Sequence, residues 1–94
     1  MADQTEKEPI DFFQVLMMML EQSASIAWQK LGLQPDLITG TIHADFAQAK
    51  VAIDVTVDLA KHLEGKLDES DRREVQNLIR DLRLNYVQKS GGQS

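Results

Sequence analysis

Apolar residues are concentrated in the segment DFFQVLMMML, residues 11–20, where eight of the ten side chains are apolar. Apolar positions continue at helical spacing to Leu31, and on a wheel of about 100° per residue they fill an arc of about 200°. Asp11 can cap this helix, because its carboxylate can accept the free N–H groups of the first turn. Gly32 can end it by adopting a left-handed conformation. The pattern therefore predicts a helix over about 11–31 whose apolar arc is twice the usual width.

Two further helices are predicted downstream. The second covers about 44–64 and is also broad, with apolar residues on one side and charged residues on the other. It should stop at Gly65. The third covers about 68–88 and has one apolar stripe about 100° wide, with Asp68 as its N-cap.

The segment LQPDLITGTIH, residues 33–43, connects the first two helices. Its four apolar residues favour a loop that packs onto the core: Leu33, Leu37, Ile38 and Ile42.

The chain length agrees with one domain, because 94 residues are enough for a single core and too few for two. We therefore predict an all-α fold, a small three-helix domain over residues 10–88. A flexible, disordered acidic tail is expected at 1–9, and a second flexible tail at 89–94.

The two broad arcs predict that one subunit does not bury all of its apolar surface. Two broad helices and one narrow helix cannot hide both arcs among themselves, so a second copy is expected to cover the remainder. The alternative is one compact bundle that, with the loop, hides every apolar side chain. We expect a homo-oligomer, most simply a dimer, although an unidentified protein partner is also possible. The predicted interface residues are Phe13, Met17, Met18, Trp28, Val55, Leu59 and Leu84.

The charge and composition restrict the kinds of partner and the cellular compartment that we expect. Ten basic and fifteen acidic residues give a formal charge of −5, which repels nucleic acids and anionic membranes at long range. The chain has no cysteine, which favours a reducing cytoplasm. The apolar run from Ile10 to Leu20 is about half as long as a membrane span. We therefore expect a cytoplasmic protein that binds neither nucleic acid nor membrane.

Four arginines share one flank of the third helix, within an arc of about 100°: Arg72, Arg73, Arg80 and Arg83. Guanidinium groups match carboxylates and phosphates, so this stripe is a candidate site for an anionic ligand or partner. The simpler interpretation is ion pairing with acidic side chains such as Asp54 and Asp58, in the same or a neighbouring subunit.

The sequence contains no recognisable catalytic motif: no nucleophile elbow, no glycine-rich phosphate loop and no HExxH pattern. Asp54, Asp58 and His62 lie at i, i+4 and i+8 on the second helix, a spacing that can supply metal ligands. Lys50 and Lys61 share that face, however, and favour an ion-paired surface. No catalytic residue, metal ligand or cofactor is therefore predicted, and the expected role is binding without catalysis.

Two alternatives stay open. One is a small metal-dependent enzyme that uses the acidic residues and the histidine of the second helix. The other is a carrier of apolar ligands between the first two helices, since Met17, Met18 and Met19 suit a surface that receives varied apolar groups.

Three segments of the chain resemble a bacterial family catalogued as domain of unknown function 1844. They are IDFFQVLMMML, AWQKLGL and AKVAIDVTVDLAKHLEGKLDESDRREVQNLIRDLRLNYV. They occur in family-like order and spacing, and the resemblance covers nearly all of residues 10–87. It implies a small helical protein without an established activity, so it assigns no catalytic or binding residues.

Overall fold

The computed structural model describes residues 7–91, and within that range it contains three helices and no strand. These are α1 (Phe12–Lys30), α2 (Phe46–Leu63) and α3 (Glu69–Ser90). The prediction of an all-α, three-helix fold is confirmed. Residues 1–6 and 92–94, which belong to the two predicted tails, lie outside the described residues.

Each helix begins after an aspartate that acts as its N-cap. Carboxylate oxygens of Asp11, Asp45 and Asp68 accept a backbone N–H two or three residues ahead, at 2.9, 3.0 and 2.7 Å. These bonds satisfy donors that a first helical turn leaves unpaired. The sequence predicts Asp11 and Asp68 in this role, whereas α2 begins two residues later than expected because its cap is Asp45.

The end of α1 is fixed by Gly32, as the sequence predicts. Its φ of 81° is left-handed, and its N–H donates to the carbonyl of Gln29 at 3.0 Å. The next N–H, of Leu33, donates to the carbonyl of Trp28 at 3.1 Å, which completes a Schellman motif. A Cβ at position 32 would lie 3.2 Å from the Cβ of Ala44, so the close approach of the chain also favours glycine.

The ends of α2 and α3 differ by one and two residues from the expected ends at about residues 64 and 88. Gly65 is not among the left-handed glycines, and α2 already ends at Leu63 in a tight turn closed by the Lys66 N–H on the Leu63 carbonyl, at 2.8 Å. The third helix continues to Ser90, which is buried, so residues 89 and 90 do not belong to a tail. Gly91 ends it in a left-handed conformation, with φ of 59°.

The loop between α1 and α2 does not pack onto the core, which corrects the prediction. Leu37 and Ile38 are 84% and 93% exposed. The carboxylate of Asp36 accepts the N–H groups of Ile38 and Thr39 at 2.8 and 3.0 Å, and the Asp36 N–H donates to the Thr41 carbonyl at 2.8 Å. Because this turn satisfies its own backbone groups, it does not need the core and projects its apolar tip outward.

A buried glutamine ties the loop to α1. Gln29, which the helical wheel assigns to a polar face, is only 8% exposed. Its Oε1 accepts the N–H of Leu37 at 3.0 Å, and its Nε2 donates to Ser25 Oγ at 3.4 Å. The base of the loop is closed by the N–H of Asp45, which donates to the Lys30 carbonyl at 2.8 Å.

The helices run up, down and up around a core shared by all three. At one end, the start of α1 meets the end of α2 and the start of α3, through Leu16, Leu20, Leu63 and Val75. At the other end, the core consists of Ala24, Ala27, Leu31, Ala49, Ile53 and Leu82. Leu78 packs against both groups and joins them.

The molecule is elongated and thin. Its radius of gyration is 16.2 Å and its principal dimensions are 57 × 32 × 18 Å, whereas a compact chain of this length has a radius of gyration of about 12 Å. The thin dimension is less than two helix diameters of about 10–12 Å each. α3 packs against one side of the hairpin formed by α1 and α2, through Val75, Leu78 and Leu82.

Candidate functional site

One side of the α1–α2 hairpin presents an apolar surface, which we call the open face. Phe12, Met19 and Ile26 recur every seven residues on α1, and this spacing stacks them along one side of the helix. They are all exposed, as are Val51 and Val55 on α2. By the same helical geometry, the centre of the open face comprises Phe12, Val15, Met19, Gln22, Ile26, Gln48, Val51 and Val55. Lys30 and His62 lie at its two ends, and Asp58 lies at its edge.

The two helices of the open face meet in a shallow groove of about 410 Å³, lined by Ile26, Ala47, Gln48, Val51 and Ala52. No residue of α3 lines this groove, which agrees with α3 lying on the opposite side of the hairpin. These eight central residues carry no charge, whereas Lys30 and Asp58 place charges at the margin of the face.

The seven predicted interface residues do not form one surface. Val55 lies on the open face, and Leu59 is half-buried one turn further along α2. Phe13 and Met17 line a depression at the start of α1, where the Nζ of Lys66 lies 4.8 Å from the centre of the Phe13 ring.

Trp28, Met18 and Leu84 lie elsewhere. Trp28 is half-buried against the core. Met18 is exposed on a flank of α1, and Leu84 is exposed on the outer side of α3. The prediction did not include Phe12, Met19, Ile26 and Val51, the exposed apolar residues of the open face, although the seven-residue spacing of the first three is visible in the sequence.

A second surface lies between α2 and α3, and we call it the basic groove. Its volume is about 380 Å³. Apolar side chains from both helices and from their connection form its floor: Val57, Ala60, Leu67, Val75 and Ile79. Its rim carries Lys61, Glu64, Arg72, Gln76, Arg80 and Arg83.

Three of the four arginines in the predicted stripe therefore line one groove, whereas Arg73 does not. Arg73 pairs with Glu69 at 3.4 Å along the exposed side of α3. The Nη2 of Arg72 donates to the Leu67 carbonyl at 3.2 Å, and Arg80 lies 3.8 Å from the carboxylate of its neighbour Asp81.

Within residues 7–91, no carboxylate oxygen lies within 4.0 Å of the guanidinium group of Arg83. The expected partners, Asp54 and Asp58, pair instead with lysines of α2. Lys50 lies 3.1 Å from Asp54, and Lys61 lies 3.6 Å from Asp58.

Two of the three candidate metal ligands, Asp54 and Asp58, are the acidic members of these ion pairs. Asp54, Asp58 and His62 are all exposed along α2. In the part of the chain that the structure describes, no three acidic or histidine side chains converge on a point that could hold a metal ion. None of the helices described between residues 7 and 91 combines the length and apolar character needed to cross a membrane.

Comparison with known proteins gives one match. The sequence profile of the family described as Domain of unknown function (DUF1844) matches residues 9–88. No curated protein and no solved structure matches the chain.

Proposed function

We propose that this chain, which belongs to the family described as Domain of unknown function (DUF1844), is a non-enzymatic interaction module that associates with a second copy of itself through the open face. One observation carries the proposal: α3 covers one side of the α1–α2 hairpin, while the other side exposes a strip whose centre is largely apolar and carries no charge. Monomeric proteins rarely leave such a strip in water.

The size of the open face supports a stable contact. Its length is that of α1, about 28 Å for its helical rise, and its width is that of two helices, about 20 Å. A corrugated surface of these dimensions offers on the order of 800 Å² of accessible area, which is the contribution of one partner to an interface of standard size. Burial of its apolar part contributes about 25 cal/mol per Å².

Charge supports a second copy as the occupant. Each chain has a formal charge of −5, so two copies repel at long range, and this repulsion is smaller where they meet on surfaces with little charge of their own. The centre of the open face meets that condition. Two copies related by a two-fold axis would place both α1–α2 hairpins face to face as a four-helix bundle, with each α3 on the outside. The lack of cysteine in the sequence supports a cytoplasmic setting as part of this proposal.

The oligomeric state of two matched variants tests the proposal. Val51 on the open face and Val87 on α3 are the same residue type with nearly the same exposure, 62% and 64%. We expect the wild-type protein to sediment as a dimer of 10.6-kDa chains. Val51→Glu should weaken the dimer by at least about tenfold, because it buries a charge without a partner, whereas Val87→Glu should leave the mass unchanged.

Circular dichroism of each variant separates a loss of association from a loss of folding. A wild-type protein that stays monomeric at about 50 μM, a concentration at which weak dimers of micromolar Kd are assembled, would contradict the proposal. If Val87→Glu disrupts the dimer and Val51→Glu does not, the contact lies on α3 and not on the open face.

A further inference from the structure

The basic groove has the length of a short helix. It extends along α3 from Arg72 to Arg83, which is three helical turns, or about 16 Å. Its floor is apolar throughout, and α2 supplies its opposite wall through Val57, Ala60 and Lys61. An amphipathic helix placed in such a groove buries its apolar side on the floor and leaves its flanks at the rim.

The rim has a charge opposite to that of the chain. Four cationic side chains and one carboxylate line the groove, although the formal charge of the protein is −5. The only ion pair that Arg80 makes within residues 7–91 is with Asp81, at 3.8 Å with both side chains more than half exposed, and such a pair contributes little. Arg83 has no carboxylate within 4.0 Å in the described part of the chain.

We propose that the basic groove docks an acidic amphipathic helix of a partner protein, about three turns long. Apolar residues of that helix would lie on Ala60, Val75 and Ile79, and its carboxylates would reach Arg80 and Arg83. Guanidinium groups bind carboxylates in a bidentate fork, so the rim fixes the register of the bound helix as well as attracting it.

The same features disfavour a nucleic acid as the occupant. Duplex DNA carries one negative charge per about 1.7 Å of its axis, and the acidic surface outside the groove repels most of that charge. A short helix presents its few carboxylates to the rim alone. A phosphate backbone would also make no apolar contact with the floor of the groove, whereas the apolar side of an amphipathic helix would pack against it.

This proposal does not depend on self-association, because the groove and the open face lie on different sides of α2. Val57, Ala60 and Lys61 line the groove, whereas Val51 and Val55 lie on the open face. Binding to the groove can therefore be measured in the Val51→Glu variant as well as in the wild-type protein, and failure of either proposal leaves the other intact.

A selection from displayed random peptides of about 16 residues, enough for more than three helical turns, tests the proposal without a known partner. The selected sequences should combine Leu, Ile or Phe at i, i+4 and i+7 with Asp or Glu on the flanks. Fluorescence anisotropy of the labelled peptides should show at least about tenfold weaker binding to Arg80→Glu and to Arg83→Glu.

Arg73→Glu is the matched control, because its side chain is 70% exposed and that of Arg80 is 69% exposed on the same helix. Arg73 does not line the groove, so its variant should bind within about twofold of the wild-type protein. In NMR spectra, the wild-type protein should show peptide-induced shifts at Val57, Ala60 and Ile79. Added salt should weaken binding, because it screens exposed charges.

Three results would overturn the proposal. In the first, the selected peptides bind both groove variants as tightly as the wild-type protein. In the second, the selection enriches basic sequences in place of acidic ones. In the third, a labelled long-chain fatty acid shifts the NMR signals of the groove residues, binds Arg83→Glu more weakly than the wild-type protein, and is not displaced by any selected peptide. The groove would then be a site for a small amphiphilic anion.

Discussion

At the scale of single residues, the contact between α1 and α2 contains a buried hydroxyl pair. Thr56 is completely buried, and its Oγ1 lies 2.7 Å from Ser23 Oγ. Each hydroxyl also reaches a helical carbonyl, that of Ala52 at 2.8 Å and that of Leu20 at 3.1 Å. The two hydroxyl groups have two protons for three hydrogen-bond contacts, one with each other and one with each carbonyl. The two side chains therefore share their hydrogen bonds across the helix interface.

We predict that Thr56→Val lowers the free energy of unfolding by about 1–2 kcal/mol, since it keeps the shape and removes the hydroxyl. When Ser23 is already replaced by alanine, the loss of unfolding free energy caused by Thr56→Val should be smaller by at least about 0.5 kcal/mol, because the hydroxyl partner of Thr56 is already absent. Urea unfolding of the four proteins at one concentration measures this coupling. Thr56→Ser keeps the hydroxyl, so its effect on the unfolding free energy should be the same with and without Ser23→Ala. If the losses caused by Thr56→Val and Ser23→Ala simply add, the two hydroxyls do not interact.

The turn after α1 depends on an ionised Asp36. Hydrogen bonds from the Thr39 and Ile38 N–H groups lower the pKa of this carboxyl below its ordinary value of 3.8, with smaller contributions from the positive charges of Lys30 and His43. Because the pKa is lower in the folded protein, the ionised carboxylate stabilises the turn above about pH 4. That stabilisation is lost as the pH falls through the folded pKa.

We therefore expect the NMR titration of the Asp36 carboxyl carbon to have its midpoint below 3.8. Amide exchange at Ile38 and Thr39 should accelerate over the same pH range relative to the intrinsic rate, while exchange in the middle of α2 should not. A midpoint at or above 3.8 would show that the turn does not favour the ionised form.

At the scale of the helices, the sequence predicted the ends of α1 better than the path of the loop that follows it. Asp11 and Gly32 act locally, through bonds to their own neighbours, so their roles can be read from sequence. Leu37 and Ile38 are apolar, and on that basis the sequence predicts a loop that packs onto the core. Their exposure follows from the turn at Asp36, which a pattern of apolar positions does not describe.

The attachment of α3 should depend strongly on one leucine. Leu82 is completely buried in the core, whereas Leu84 on the same helix is 52% exposed. We predict that Leu82→Ala costs about 2–5 kcal/mol in unfolding free energy, because it removes buried methyl groups and leaves a cavity. Leu84→Ala should cost less than about 0.5 kcal/mol. Urea unfolding at one protein concentration measures both, and equal losses for the two variants would contradict the packing of α3 described above.

At the scale of the whole molecule, the width of the apolar arcs predicted correctly that large hydrophobic side chains stay exposed. It did not identify which ones, because α1 has apolar residues on two sides and the sequence does not say which side α3 covers. Trp28 and Met19 illustrate this: both belong to the broad arc of α1, but only Trp28 packs against the core that includes Leu82 of α3. The open face could be assigned only after the topology was known.

The proposed self-association through the open face would make thermal stability depend on protein concentration. For a dimer that dissociates as it unfolds, a hundredfold increase in concentration stabilises the folded state by about 2.7 kcal/mol per dimer. For helical chains of this size, that corresponds to a rise in Tm of roughly 5–10 °C. We expect this rise in calorimetry of the wild-type protein and of Val87→Glu. Val51→Glu should unfold at a Tm that is independent of concentration. A wild-type Tm that does not change with concentration would show that the open face faces solvent in the folded protein, and that a second chain does not cover it.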